Sequence, residues 1–315
     1  MLRTTFVFIT VLAANAQADP AVELSGSLFT GFQKALGSGD DTNAFTVDRA
    51  YITARARLDD RFALRITTDV DALRGGEDTK VRPFLKYAYI EMKTAPNLRL
   101  RFGMSGNGWT GYADQFSGTR FIAKSFADRR DLLPSADIGV HALGSLLSKR
   151  LNLQASLVNG EGYDVPELNG TKSAQLRASY DLLTGTQNAA PISLFIARDL
   201  GGPDAASLLL AASSGWRHAV GTFWAEYCVR QVGTERSEGW SVAAMPALGK
   251  YGNAVLRYDR WSLHDGGVED VGQTLLTGVS KSYRKKVKFA LMFQSETRAN
   301  EDATQQVSVH MQAGF

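Results

Sequence analysis

Arginines stand at even spacings in three short runs: Arg49, Arg55 and Arg57, then Arg61 and Arg65, then Arg99 and Arg101. A guanidinium stays charged, and its planar fork suits carboxylate or phosphate. Several of them on one wall create a positive field that concentrates anions. Asp69 is the clear acid on the same runs. A second basic set, Arg120, Lys124, Arg129 and Arg130, sits with Asp114, Asp128 and Asp131 in a polar stretch from about Ser105 to Ser135. This material attracts and orients charge; it does not break bonds. A hydrolase needs a nucleophile or paired acids with a His held nearby. The nearest candidates are His141 with Ser145 and His264 with Asp265. His141 lies in a Gly/Ala-rich run and His264 in a polar stretch, so no catalytic set is assigned and an enzyme is not expected. Four His and the lone Cys228 show no zinc spacing, so neither metal nor cofactor is expected, and one Cys cannot form an internal disulfide. With 35 Lys+Arg against 32 Asp+Glu and no basic stripe, a nucleic-acid partner is not expected either.

The elements that carry these arginines alternate with period two. Arg49, Thr53, Arg55 and Arg57 oppose Ala50, Ile52, Ala54, Ala56 and Leu58. Arg65, Thr67 and Asp69 oppose Leu64, Ile66 and Val70, and Lys288 opposes Phe289 and Leu291. Such alternation predicts half-buried strands. Marked along the chain they number sixteen: 21–32, 45–58, 61–70, 83–93, 97–104, 136–147, 150–158, 173–182, 191–199, 205–213, 217–231, 237–245, 250–262, 271–281, 285–295 and 304–315. The strands at 83–93 and 205–213 have ambiguous faces. Tight turns are expected at Asp59-Asp60, Thr94–Asn97, Ser148-Lys149, Gly215-Trp216, Pro246–Gly249 and Tyr283–Lys285. Longer polar connections are expected at 33–44, 71–82, 159–172, 263–270 and 296–303, and the stretch Ser105–Ser135 is the longest.

Residues 1–18 carry Arg3, an apolar run from Phe6 to Ala14, and small residues ending at Ala18. This is the layout of a secretory signal peptide, with cleavage expected near Ala18 and a single domain from 19 to 315. An exported chain of many alternating strands can place its polar face inside a closed barrel and its apolar face against lipid, because hydrocarbon tolerates only backbones that satisfy their own hydrogen bonds. Outer-membrane barrels have an even strand number with short turns on one side and long loops on the other. In the terminal stretch Val307–Phe315, apolar residues at Val307, Val309, Met311 and Phe315 alternate and end on an aromatic ring. A strand of that kind resembles the assembly signal of outer-membrane proteins. It implies recognition by the barrel assembly machinery and closure against the first strand. The expected fold is all-β: a transmembrane antiparallel β-barrel of about 16 strands in the outer membrane of a Gram-negative bacterium, in contact with outer-membrane lipid.

Sixteen strands with a dominant third long loop, between strands five and six, resemble the general porins. The stretch Phe45–Asp71 (FTVDRAYITARARLDDRFALRITTDVD) is similar to the early hairpin of the phosphate-selective porin O/P family, with Arg on strand two, a tight acidic turn and a further alternating strand. Tyr87–Glu91, Leu98–Gly103 and Arg129-Arg130 through Ile138–Val140 are similar as well. The likeness covers the first half and the final strand. The basic residues of that family's constriction find no position-by-position match here. The resemblance implies a water-filled channel for passive diffusion of small hydrophilic solutes, anionic or polar, with a mild anion preference and phosphate as its narrower form. It also implies a homotrimer and a third loop folded into the lumen. Pore-lining candidates are Arg49, Arg55, Arg57, Arg65, Arg99 and Arg101; constriction-loop candidates are Arg120, Lys124, Arg129 and Arg130. The rivals are a plugged structural barrel and an outer-membrane hydrolase. A channel for apolar solutes has only Trp224 in its favour.

Overall fold

The computed structural model describes residues 21–37, 42–72, 81–183, 188–201, 207–265, 268–284, 286–299 and 301–315. The signal segment expected at 1–18, and parts of the connections expected at 33–44 and 71–82, lie outside the described residues. Sixteen antiparallel strands close into one barrel, each paired with its sequence neighbours and the last with the first. They are β1 Val22–Leu36, β2 Asn43–Arg57, β3 Phe62–Ala72, β4 Val81–Ala95, β5 Leu98–Gly106 and β6 Ala136–Leu146. Then follow β7 Leu151–Val158, β8 Ser173–Asp181, β9 Pro191–Asp199, β10 Ser207–His218 and β11 Gly221–Val232. The remainder are β12 Glu235–Pro246, β13 Asn253–Asp265, β14 Val268–Tyr283, β15 Val287–Arg298 and β16 Thr304–Gly314. Between β5 and β6 the long segment carries two short helices, α1 Thr110–Ser117 and α2 Phe126–Arg129.

Register sorts the side chains into two faces, with the polarity of a water-soluble core reversed. Leu24, Ile52, Leu194, Leu256 and Leu291 form part of an exposed apolar face. Thr67, Asp69, His141, Asp259 and Thr274 are buried on the polar face. Aromatic residues band the apolar face. Tyr227 pairs with Trp240, and the Trp240 and Tyr258 rings lie 5.3 Å apart. Immediately beyond them this face turns polar, with Glu238, Arg260 and Gln273.

The two ambiguous strands have separate explanations. In β4 the register slips around Lys86, so Thr67 pairs with Tyr87 but Thr68 with Leu85, and this bulge resets the alternation. In β10, Leu209 and Leu210 are both apolar because both are covered by something greasy or left for it. Leu209 is buried with Phe126 and Trp109 of the long segment, while Leu210 is exposed on the other face.

Two expected connections are corrected. β10 continues through Gly215 and Trp216 to His218, which pairs with Gly221, so the tight turn falls at Ala219 and Val220. The cross-strand ring contact of Trp216 with Phe223, at 5.5 Å, favours continuing the ladder past Gly215. The long connection expected at 263–270 is also ladder: His264 pairs with Glu269 and Asp265 with Val268. Backbone pairing continues there despite the polar side chains.

Candidate functional site

The tight turns at one end of β2–β8 surround a cavity of about 1040 Å³, lined by nine basic and four acidic side chains. Arg55, Arg57 and Arg65 reach it from the first hairpin, Arg99 and Arg101 from β5, and Arg177 from β8. The acidic turn holds its shape through Asp59, whose Oδ1 accepts the backbone N–H of Arg61 at 2.7 Å and of Phe62 at 2.6 Å. Those two bonds hold the Asp59 carboxyl below its ordinary range. Glu91 accepts from Arg101 Nε at 2.7 Å, and Arg99 approaches it at 3.8 Å. Arg65 lies over the Tyr87 ring at 4.4 Å and Arg101 over Tyr89 at 4.7 Å. The cavity therefore keeps an excess of positive charge after its pairs are formed.

The long segment is pinned at its two feet. Asn107 Oδ1 accepts from the backbone N–H of Trp109 at 2.7 Å and of Thr110 at 2.8 Å, while its amide donates to the Pro134 carbonyl. Lys86, at the β4 bulge, donates to Ser135 Oγ at 2.5 Å. From there the segment meets the polar face at strand after strand. Trp109 Nε1 donates to Glu226 of β11 at 3.2 Å, and the Phe126 backbone N–H donates to the same carboxylate at 2.8 Å. Ser193 of β9 donates to Tyr112 at 2.9 Å, and Arg257 of β13 donates to the Lys124 carbonyl at 2.6 Å. Arg130 donates to Thr274 of β14 at 2.7 Å and lies over the Trp261 ring at 3.2 Å. Arg129 and Arg130 approach Glu296 of β15 at 3.6 and 3.5 Å. Phe121 packs with Phe29 of β1. Within the segment, Asp114 accepts from Arg120 at 3.0 Å and from the Ser125 backbone N–H at 2.8 Å. Burial nevertheless pushes the Asp114 carboxyl up to about 7, against the pull of Arg120.

The sequence candidates divide accordingly. Arg55, Arg57, Arg65, Arg99 and Arg101 line the large cavity. Arg49 shares their face but is absent from its lining, being held by Asp69 at 2.9 Å. Arg120, Lys124, Arg129 and Arg130 lie in the long segment and each contacts an acid. Val307, Val309 and Met311 occupy the apolar face of β16, which closes the barrel against β1. Phe315 exchanges backbone hydrogen bonds with Gly26 at 3.2 and 3.3 Å. A side chain at Gly26 would begin 2.2 Å from the Phe315 ring, so glycine is what lets that ring lie on β1. The sequence reading missed Lys86, Arg177, Glu296 and Arg257, which donates to both oxygens of Asp259, at 2.8 and 3.0 Å. Parity carried the signal for the last: Arg257 and Asp259 share a face, whereas the adjacent Arg260 points the other way.

No protein-family model and no curated protein matches the chain. Solved structures do match along nearly the whole length. OmpF of Salmonella typhi, in complex with daunomycin, superposes with a TM-score of 0.71 at 11% identity, over 94% of this chain and 98% of that one. The anion-selective porin from Comamonas acidovorans gives 0.67 at 10% identity, over 94% and 100%. The fold is porin-type. The outer-membrane protein OmpT of Vibrio cholerae superposes equally well, with a TM-score of 0.67 at 12% identity over 97% and 100% of the two chains. At these identities the porin-type barrel is what the likeness establishes.

Proposed function

We propose that this chain is an outer-membrane porin, a water-filled channel through which small hydrophilic solutes diffuse with a preference for anions. The observation that carries the reading is the large cavity with its nine basic and four acidic side chains. Fixed positive charge in a water-filled passage with low-dielectric walls concentrates anions and repels cations. The exposed apolar face and its aromatic band support a lipid-facing exterior, since outer-membrane barrels carry aromatic girdles at their interfaces. We place the long segment across the lumen as a constriction. One stretch of chain that touches β1, β9, β11 and β14 can reach all four from inside the barrel. Export by the 1–18 segment, cleavage near Ala18 and assembly as a homotrimer complete the proposal; a solved OmpT of Vibrio cholerae is itself described as a trimer form.

The deciding experiment is conductance in a planar bilayer. Purified protein should open channels whose zero-current potential under a salt gradient reports anion preference. That preference should fade at high salt, where the Debye length falls to ~3 Å at 1 M. Neutralising Arg55, Arg57 and Arg101 together should move selectivity toward cations without closing the pore. A cation-selective wild type would overturn the charge argument. Phosphate preference, the narrower form, requires block by low phosphate but not by chloride. The rival plugged barrel draws on the same contacts of the long segment with many strands, and complete absence of conductance would favour it.

A further inference from the structure

The outer surface of β12–β16 is charged with opposite sign at its two ends. From Val271 to Ser295 the sequence holds five cations and no acid, and neither 246–258 nor 303–315 holds an acid. These stretches meet at the short turns that join β12 to β13 and β14 to β15. The acids Glu235, Asp270 and Glu301 stand at the other end of the same strands. Lys281 is exposed and pairs in register with Phe289 on the apolar face, beyond exposed Val279 and Leu291. Lys250 lies over the Tyr251 ring at 5.2 Å in one turn, and Arg284 over Tyr283 at 5.4 Å in the other; both rings are exposed. A side chain at Gly252 would begin 3.2 Å from Lys281 Cβ, so the two turns adjoin. Among the described residues, the salt-bridged cations of β12–β15 are Arg236, Arg257 and Arg298, and none of them belongs to this rim.

The rim also stands at the height of a membrane interface. Leu275 is level with Tyr258 of the aromatic band at the long-loop end. From Leu275 to Tyr283, β14 advances by ~27 Å at ~3.4 Å per residue. That is the scale of the ~25 Å apolar band of an outer-membrane barrel, which aromatic girdles flank on both sides. A Lys on a lipid-facing surface is tolerated where its long side chain reaches headgroups.

We propose that this rim binds anionic glycerophospholipid, its phosphodiester held by Lys250, Lys281 and Arg284 and its acyl chains laid on Val279, Phe289 and Leu291. The inference rests on the reading of the chain as an outer-membrane barrel, whose short turns face the periplasm and so meet the periplasmic leaflet. Clustered cations at a membrane surface attract anionic headgroups, each adding to the preference. A free phosphate would leave the apolar part of the patch uncovered, so the occupant carries hydrocarbon.

The test is native mass spectrometry of the detergent-folded barrel with dioleoyl phosphatidylglycerol, against dioleoyl phosphatidylcholine and glycerol 3-phosphate as comparison probes. Phosphatidylglycerol should bind about tenfold or more tightly than either. Changing Lys250, Lys281 and Arg284 together to Gln should bring it to within about twofold of phosphatidylcholine. Changing Arg55, Arg57 and Arg101 to Gln removes the same charge from the lumen and should leave the lipid preference intact. Matching thermal melts show that the variants fold. If the rim triple does not, Lys281→Gln alone should lower the preference by about fivefold. Equal binding of the two lipids, glycerol 3-phosphate bound as tightly as phosphatidylglycerol, a folded rim variant that keeps the preference, or its equal loss in the lumenal variant would each overturn the proposal. Conductance does not enter the measurement: a conducting barrel without lipid preference refutes this inference alone, and a closed barrel with it refutes only the channel.

Discussion

Glu226 gathers two donors that are distant in sequence, Trp109 Nε1 and the Phe126 backbone N–H, onto one carboxylate that is 4% exposed. Glu226→Ala leaves both donors buried and unpaired, at a cost of roughly 1–3 kcal/mol for each group. The expected outcome is a lower melting temperature and noisier single-channel current, and a variant trace as quiet as wild type would show that the segment is held elsewhere. Asp114 gives the same segment a pH dependence. An ordinary Asp titrates near ~3.9, and burial raises this one to about 7. Between those values the folded form holds a proton that the unfolded form lacks, so stability falls as pH rises through this window. Proteolysis of the segment should therefore be slower at pH 5 than at pH 8, and Asp114→Asn should flatten the difference. At this scale the sequence was legible where parity operates. The Arg faces of β2, β3 and β5 follow from alternation alone. Lys86 was hidden by its bulge, and Glu296 by lying at a strand end read as a loop; their partners Ser135, Arg129 and Arg130 belong to the distant long segment, beyond any local pattern.

Strands were far more legible than the segment that crosses them. Period-two alternation depends only on a wall with one apolar and one polar face, and that condition holds around the whole barrel. It fails at Leu209, where a residue of the polar face is apolar because Phe126 and Trp109 cover it. It fails again at β13–β14, where polar side chains disguise a continuing ladder. Short helices α1 and α2 gave no periodic signal, being eight and four residues long. The strand faces yield a direct prediction. Phe289 is exposed on the apolar face of β15, opposite the side of Lys288. Phe289→Arg should destabilise the folded barrel in bilayers by roughly 2–4 kcal/mol if it lies at the midplane, and less near an interface. Unfolding titrations from liposomes measure this, and an unchanged midpoint would mean that β15 does not meet lipid there.

At the scale of the whole molecule, closure is the step on which everything else depends, because an open sheet edge has no place in hydrocarbon. β16 completes the ladder by pairing with β1 from Ser27 and Gly314 to Leu36 and Gln305. Phe315 extends it by one residue through its backbone bonds to Gly26, yet its side chain stays 76% exposed. An exposed ring contributes little to a finished barrel, and the proposed assembly signal would use it earlier, when the terminal strand is presented for insertion. Phe315→Ala should therefore lower the yield of inserted barrel while synthesis and export continue. The barrels that do insert should melt within a few degrees of wild type, because the Gly26 hydrogen bonds come from backbone. Fractionation of outer membranes at native expression, together with thermal melting of the purified remainder, separates the two effects. Normal insertion would remove the assembly role from Phe315. Poor insertion with a strongly lowered melt would instead make the ring a stabilising contact on β1, and Gly26→Ala, which displaces it, should then lower the melt as well.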